Sequence, residues 1–263
     1  MNLRIENLSY NYGKHKALSS ISCNFHSGQL VAVMGENGSG KSTLLRCIDR
    51  IFKPTKGEIL FNEQEAVELT QRELAELVAY VPQYADEDLF STVFDSVMLG
   101  RVPYIDGSPS KRDYACVASS IVKLGLEELA MRYVGTLSGG ERQRVMIARA
   151  LAQSSQIILL DEPISNLDLK QQLKVMSILK DLAEQGRIVI VAIHDIRMAA
   201  CFCNSVLMLK HGNVVAFGGK ELFTAEYFRK LYDIDSDIFL KYKPLNMDDY
   251  GEDRTYANRV CSE

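Results

Sequence analysis

The chain has no concentrated basic block, no apolar run of bilayer length, no metal-spaced set of cysteines and no internal repeat. Each absence closes a class of function. A net charge of −4 spread over 263 residues gives no electrostatic reason to expect nucleic acid as a partner. No stretch approaches the roughly twenty apolar residues that a membrane-spanning helix needs. The opening residues, Met1 to Asn7, lack the apolar centre of an export signal, so export is not expected. Of six cysteines (Cys23, Cys47, Cys116, Cys201, Cys203, Cys261) only Cys201 and Cys203 lie close together, with no second pair nearby. That spacing is poor for a metal and suggests buried free thiols in a reducing compartment. An apolar fraction of 47% with 24% charged residues fits one sizeable domain, or one core carrying a smaller insertion.

What is present starts with Gly35-Glu36-Asn37-Gly38-Ser39-Gly40-Lys41-Ser42-Thr43, a Gly-x-x-x-x-Gly-Lys-Ser/Thr pattern. The apolar run Leu30–Met34 before it reads as a buried strand, and Thr43–Ile48 after it has helical spacing. In that setting the glycines let successive N–H groups point at phosphate oxygens, and the helix start adds its positive dipole end. Lys41 is expected to reach the β- and γ-phosphates of a nucleotide, and the Ser42 hydroxyl to ligate Mg²⁺.

The remaining pattern predicts an α/β protein. Leu3 and Ile5, then Ile21, Cys23 and Phe25, alternate with polar residues and predict an N-terminal antiparallel β part over 1–29, joined by 57–61. Thr70 and Glu73 form a capping box that opens a helix through Leu77, and Val78–Val81 follows as a strand stopped by Pro82. From Thr92 to Leu124 the apolar residues fall at helical spacing, within a helical insertion expected over about 86–140, with a loop over Pro103–Pro109 and a stop at Gly125. Ile157–Leu160 and Ile188–Ile193 are unbroken apolar runs, as in parallel strands buried on both faces, linked by a helix over about 169–185. Ser205–Phe217 reads as a hairpin. Residues 1–219 form the expected domain. Residues 220–263 form an extension whose apolar residues Leu222, Phe223, Phe228, Leu231 and Tyr232 are expected on the core, and whose acidic end reads as mobile.

Four of these strands each run into a residue suited to phosphate chemistry. Leu30–Met34 leads to the glycine-rich loop, Val78–Val81 to Gln83, Ile157–Leu160 to Asp161-Glu162, and Ile188–Ile193 to His194. Ligands of open parallel sheets bind outside the carboxyl ends of the strands. There Asp161 can bind Mg²⁺ directly or through water, and Glu162 can polarise an attacking water. Gln83 can hydrogen-bond a metal-bound water and the nucleophile, and His194 can meet the γ-phosphate.

Leu137-Ser138-Gly139-Gly140-Glu141-Arg142-Gln143 precedes a further helix, with Ser138 and Glu141 as its capping box. Two consecutive glycines are more than a cap requires and let a phosphate approach the backbone. With this segment the chain resembles the ATP-binding-cassette (ABC) ATPases, the nucleotide-binding subunits of ABC transporters. Leu137–Gln143 resembles the family signature, Gly35–Ser42 its Walker A and Ile157–Glu162 its Walker B. Gln83 resembles the Q-loop glutamine, Ser165–Asp168 the D-loop, His194 the switch histidine, and Tyr12, with Tyr10 as its rival, the aromatic that stacks on adenine. Two departures are Ile164 and Ile193, where the family often has threonine.

The resemblance implies a P-loop NTPase core with a mainly parallel sheet, binding ATP and Mg²⁺ and hydrolysing ATP. Lys41, Gln83, Glu162 and His194 would be catalytic, and Ser42, Gln83 and Asp161 would face the metal. Tyr12, Gly35, Asn37, Gly38, Ser39, Gly40, Lys41, Ser42, Thr43, Ser138, Gly139, Gly140, Gln143 and Asp168 would contact nucleotide. It also implies a head-to-tail homodimer, in which one chain's glycine-rich loop and the other's Ser138-Gly139-Gly140 sandwich each ATP. Tyr80–Gln83, Thr92–Arg101 and Pro103-Tyr104 resemble the importers of iron–siderophore, haem and vitamin B12. That implies a membrane permease docking at Tyr84–Arg101, a substrate-binding protein in the full system, and a peripheral place on the cytoplasmic face. The rivals are an exporter subunit, a nucleotide-binding regulator without turnover, and a soluble ATPase remodelling nucleic-acid or ribosomal complexes. The last typically has coiled-coil insertions or a second cassette, and neither is seen here.

Overall fold

Alternating apolar residues zip the N-terminal segment into antiparallel ribbons. In the computed structural model, which describes residues 1–83 and 90–233, β1 (Asn2–Tyr12) pairs with β2 (His15–His26) so that Leu3 faces Phe25 and Ile5 faces Cys23. Wholly buried β3 (Leu30–Met34) feeds through the glycine-rich loop into α1 (Lys41–Ile48). β4 (Lys56–Phe61) and β5 (Gln64–Glu65) complete a four-stranded antiparallel sheet in the order β2-β1-β4-β5. α2 (Gln71–Leu77) opens on the expected Thr70–Glu73 capping box and passes directly into β6 (Val78–Val81).

A helical block follows, made of α3 (Val93–Met98), a 3-10 segment (Leu99–Tyr104), α4 (Lys111–Leu124) and α5 (Gly139–Gln153). The chain then returns to the core as β7 (Ile157–Asp161), α6 (Leu169–Glu184), β8 (Ile188–Ala192) and α7 (Ile196–Phe202). It closes with the hairpin β9 (Ser205–Lys210) and β10 (Asn213–Gly219), and then α8 (Ala225–Tyr232). The second sheet has the order β10-β9-β3-β8-β7-β6, parallel throughout except for the β9/β10 hairpin.

Burial on both faces explains why these strands carry no polar alternation. Leu30, Ala32 and Met34 enter one apolar cluster with α5, α6, α7 and α8, whereas Val31 and Val33 enter another with α1 and the antiparallel sheet. Leu222, Phe223, Phe228 and Leu231 are buried in the first cluster, so the start of the extension is part of the core. Because β3, β6, β7 and β8 run the same way, their carboxyl ends share one edge.

Three expectations need correction. Pro103 and Tyr104 belong to the 3-10 segment, and the irregular loop starts at Ile105. Arg101 fixes this turn: it is buried, pairs with buried Asp113 at 2.8 Å, and lies 4.0 Å over the Tyr104 ring. Ser110 and Arg101 together hold the Asp113 carboxyl down at about 2, the serine contributing most. β8 stops at Ala192, so Ile193 lies beyond the strand, although its N–H still bonds Val33 across the sheet. The thiols are not uniformly buried: Cys23, Cys47 and Cys203 are, but Cys116 is half-buried and Cys201 exposed. Cys261, the acidic end segment and Tyr84 to Leu89 of the docking run lie outside the described residues.

Burial also leaves one carboxyl outside its ordinary range. Asp49, at the end of α1, is pushed from 3.8 up to about 7 by desolvation. Between those values the folded chain keeps a proton that the unfolded chain has released, so stability falls as pH rises through this window and levels off above it. Asp49→Asn removes that loss. Its melting advantage over the parent chain should widen between about pH 5.5 and about pH 8 by the equivalent of about 2 kcal/mol. The same offset at both pH values would mean that Asp49 ionises normally.

Candidate functional site

The shared strand edge opens into a cleft of about 440 Å³ lined by Asn37, Gly38, Ser42, Gln83, Glu162 and His194. Residues from four separate strand ends therefore meet at one point. The glycine-rich loop is pressed against β9: a Cβ added at Gly35 would stand 2.1 Å from the Leu209 carbonyl oxygen and 2.6 Å from Ser39 Oγ. Lys41 is 5% exposed, and its ammonium donates to the carbonyls of Gly35 and Glu36, both at 2.9 Å. Burial lowers its pKa, while the Glu162 and Asp161 charges act the other way. Ser39 and Thr43 are buried beside it, and Gly40 caps α1.

Ser42 Oγ donates to Asp161 Oδ1 at 2.9 Å. Asp161 is buried and its pKa is raised, chiefly by desolvation, with the Ser42 bond opposing. A hydroxyl and a carboxylate at this distance form a hard oxygen pair, which suits a cation that takes few protein ligands and completes its shell with phosphate and water. Among the described residues no group of three His, Cys, Asp or Glu side chains gathers as a metal cage.

Glu162 is gripped from both sides. Gln83 Nε2 donates to its Oε2 at 2.8 Å, and His194 Nε2 lies 2.5 Å from its Oε1. Its backbone sits in the left-handed region at φ 51°. The Gln83 amide nitrogen is thus committed to Glu162 here, which leaves its oxygen for a metal-bound water.

The other expected contacts do not line this cleft. Ser138 and Gly139 are exposed at the start of α5, where the Ser138 hydroxyl is engaged by its capping partner Glu141. Gly140 faces the Asn166 carbonyl of its own chain, and Gln143 is buried with its amide nitrogen unpartnered. Asp168 is exposed and caps α6 through the Gln171 N–H. Tyr12 is 45% exposed, within 3.4 Å of the Thr43 hydroxyl, and meets Tyr10 and Phe52 edge-on. Phe52 stacks on Tyr10 with centroids 5.0 Å apart, so both tyrosines and Phe52 form one platform where the sequence offered Tyr12 with Tyr10 as its rival. No local signal marks Phe52, because it arrives from beyond α1. Tyr80 was also missed as a site residue. Its only sequence cue is a polar-tipped ring inside an otherwise apolar strand.

Known proteins share this sequence pattern and this fold. The family described as "ABC transporter" matches residues 18–165. An uncharacterised ABC transporter ATP-binding protein of Methanocaldococcus jannaschii is 43% identical over 239 residues, covering 90% of this chain and 94% of that protein. The petrobactin import ATP-binding protein of Bacillus subtilis is 33% identical over 90% of this chain and 94% of its own length. Among solved structures, an ATP-binding cassette dimer in a post-hydrolysis state with ADP and Pi superposes with a TM-score of 0.76 at 33% identity. It covers 83% of this chain and 98% of that one.

The loop geometry yields a paired test. Gly35→Ala should destabilise the chain by about 2–3 kcal/mol, because its Cβ meets backbone that cannot give way. Gly38→Ala has φ +80° but open space around it, and should cost only about 1 kcal/mol. Thermal melts of the two variants check this. Equal melting would mean that the Leu209 contact does not clamp the loop.

Proposed function

The chain belongs to the ABC transporter family as an ATP-hydrolysing cassette subunit, and from that membership we propose that it powers uptake of a metal chelate of the iron–siderophore, haem or cobalamin class through a separate membrane permease. The observation that carries the hydrolytic part is the placement of Glu162 between Gln83 and His194 at the mouth of the phosphate loop. The import part rests on the petrobactin-import relative and on the run from Tyr80 to Tyr104.

In this reading the backbone N–H groups from Gly35 to Ser42 and the Lys41 ammonium hold the β- and γ-phosphates, and Tyr12 stacks on the base. Lys41 must exchange its two carbonyl partners for phosphate oxygens, a replacement that keeps a buried ammonium fully bonded. Ser42 and Asp161 would hold a magnesium ion, which when bound neutralises charge on the phosphates. Glu162 orients a water and accepts its proton as the oxygen attacks the γ-phosphorus. His194 and Gln83 keep that carboxylate aimed, and His194 also meets charge developing on the phosphate.

Ser138 and Gly139, exposed at the start of α5, are offered to a second copy of the chain, whose γ-phosphate they would bind. ATP then glues two copies together and hydrolysis releases them. Exposed apolar side chains on the helical block, among them Leu99, Val102 and Met131, fit a permease contact around the docking run. No helix among the described residues is long and apolar enough to cross a membrane. The importer reading adds a peripheral place on the cytoplasmic face and a substrate-binding protein that completes the system.

Two experiments check this reading. Glu162→Gln should cut phosphate release by about 10²–10³-fold while ADP affinity stays unchanged. Turnover at the parent rate would move the base elsewhere. Tagged Glu162→Gln chain, pulled from detergent-solubilised host membranes, should bring down a polytopic membrane subunit. Recovery of soluble partners alone would instead support the remodelling ATPase.

A further inference from the structure

Both oxygens of the Asp161 carboxylate face hydroxyls, and the two hydroxyls come from different elements. Ser42 on α1 donates to Oδ1 at 2.9 Å, and Tyr80 on β6 donates to Oδ2 at 3.5 Å. The Tyr80 oxygen in turn accepts from Arg46 Nε at 3.4 Å. Arg46 lies on α1 one turn past Ser42, and its guanidinium sits 5.5 Å from the centroid of Phe52, the ring stacked on Tyr10. A line of contacts therefore runs from the aromatic platform through Arg46 and Tyr80 to Asp161.

Alternation along β6 produces this placement. Val78 and Tyr80 face the apolar cluster that contains α1, whereas Ala79 and Val81 face the opposite one. The direction of the bonds follows from proton count. Arg46 can only donate, so it occupies the phenol as an acceptor and leaves the phenolic proton for Asp161.

A carboxylate turns freely about its last torsion, which is broad and roughly two-fold. One hydrogen bond at Oδ1 leaves that rotation loosely fixed, and a second at Oδ2 removes it. Both contacts in the relay are long, so their effect lies in orientation rather than in binding strength.

We propose that Tyr80, aligned by Arg46, is a positioning residue that holds the Asp161 carboxylate turned toward Ser42 and thereby sets the affinity for the magnesium ion that accompanies the nucleotide. The inference rests on the reading of Ser42 and Asp161 as the magnesium ligands.

The test is calorimetric titration of the full chain with an ATP analogue whose β–γ bridge cannot be hydrolysed, once with magnesium and once with chelator. Tyr80→Phe keeps the ring and removes only the hydroxyl. Its magnesium-dependent gain in affinity should fall about tenfold, with chelator affinity and nucleotide-free melting unchanged. Arg46→Gln should lose part of the same gain. A full magnesium gain in Tyr80→Phe overturns the proposal, and so does an equal loss with and without magnesium, which marks a merely structural role. If the parent chain shows no magnesium gain, the ligand assignment fails together with the inference; if only Tyr80→Phe behaves like the parent, the assignment stands and the relay falls.

Discussion

A buried ammonium organises this site. Lys41 is almost completely shielded from solvent, yet the charge of its ammonium is balanced by two backbone carbonyls and by the nearby Asp161 and Glu162. Two adjacent carboxylates at a strand end would otherwise repel one another in a poorly solvated place. The loop that bends round Lys41 can do so only because Gly35 lies flat on the Leu209 carbonyl. The parallel strands bring the remaining groups within range of that charge. Fold and site are thus one arrangement: a sheet whose carboxyl edges converge on a single cation.

Much of this was legible in the chain itself, and the reason is locality. The glycine-rich loop, the capping boxes at Thr70–Glu73 and Ser138–Glu141, and the apolar strands Leu30–Met34 and Ile157–Leu160 each depend on neighbours a few residues away. Their physics is complete within a short window, so pattern suffices. Glu162 and His194 could be picked out because each closes an unbroken apolar run in the sequence. What stayed hidden depends on separation. Arg46, Tyr80 and Asp161 are 34 and 81 residues apart along the chain and meet only after α1 and β6 pack on the same side of the sheet. The Pro103-Tyr104 turn looked like a loop because the residues that hold it, Arg101 and Asp113, belong to different helical pieces. Cys116 and Cys201 looked buried because apolar neighbours in sequence do not reveal which side of a helix faces the solvent.

The signature segment shows how a local device and a distant role share the same atoms. The Ser138 hydroxyl accepts the Glu141 N–H and donates to the Glu141 carboxylate, whose pKa it lowers. A reciprocal cap of this kind stabilises the helix start by about 1 kcal/mol. It also keeps α5 rigid up to its first residue, so Ser138 and Gly139 are presented on a fixed end rather than on a loose loop. Gly140, close to the Asn166 carbonyl, ties that end to the segment following Glu162. A group bound at the start of α5 would therefore lie close to the backbone that follows Glu162.

The left-handed backbone at Glu162 sets chemistry against conformational preference. A side chain of this size adopts such a conformation at a cost of about 1–3 kcal/mol, and glycine or asparagine would sit there with less strain. Relaxed selection on turnover would therefore not leave this position neutral. Exchange for glycine or asparagine would relieve that strain but remove the carboxylate that Gln83 and His194 grip, so backbone ease and the proposed chemistry pull this one position in opposite directions.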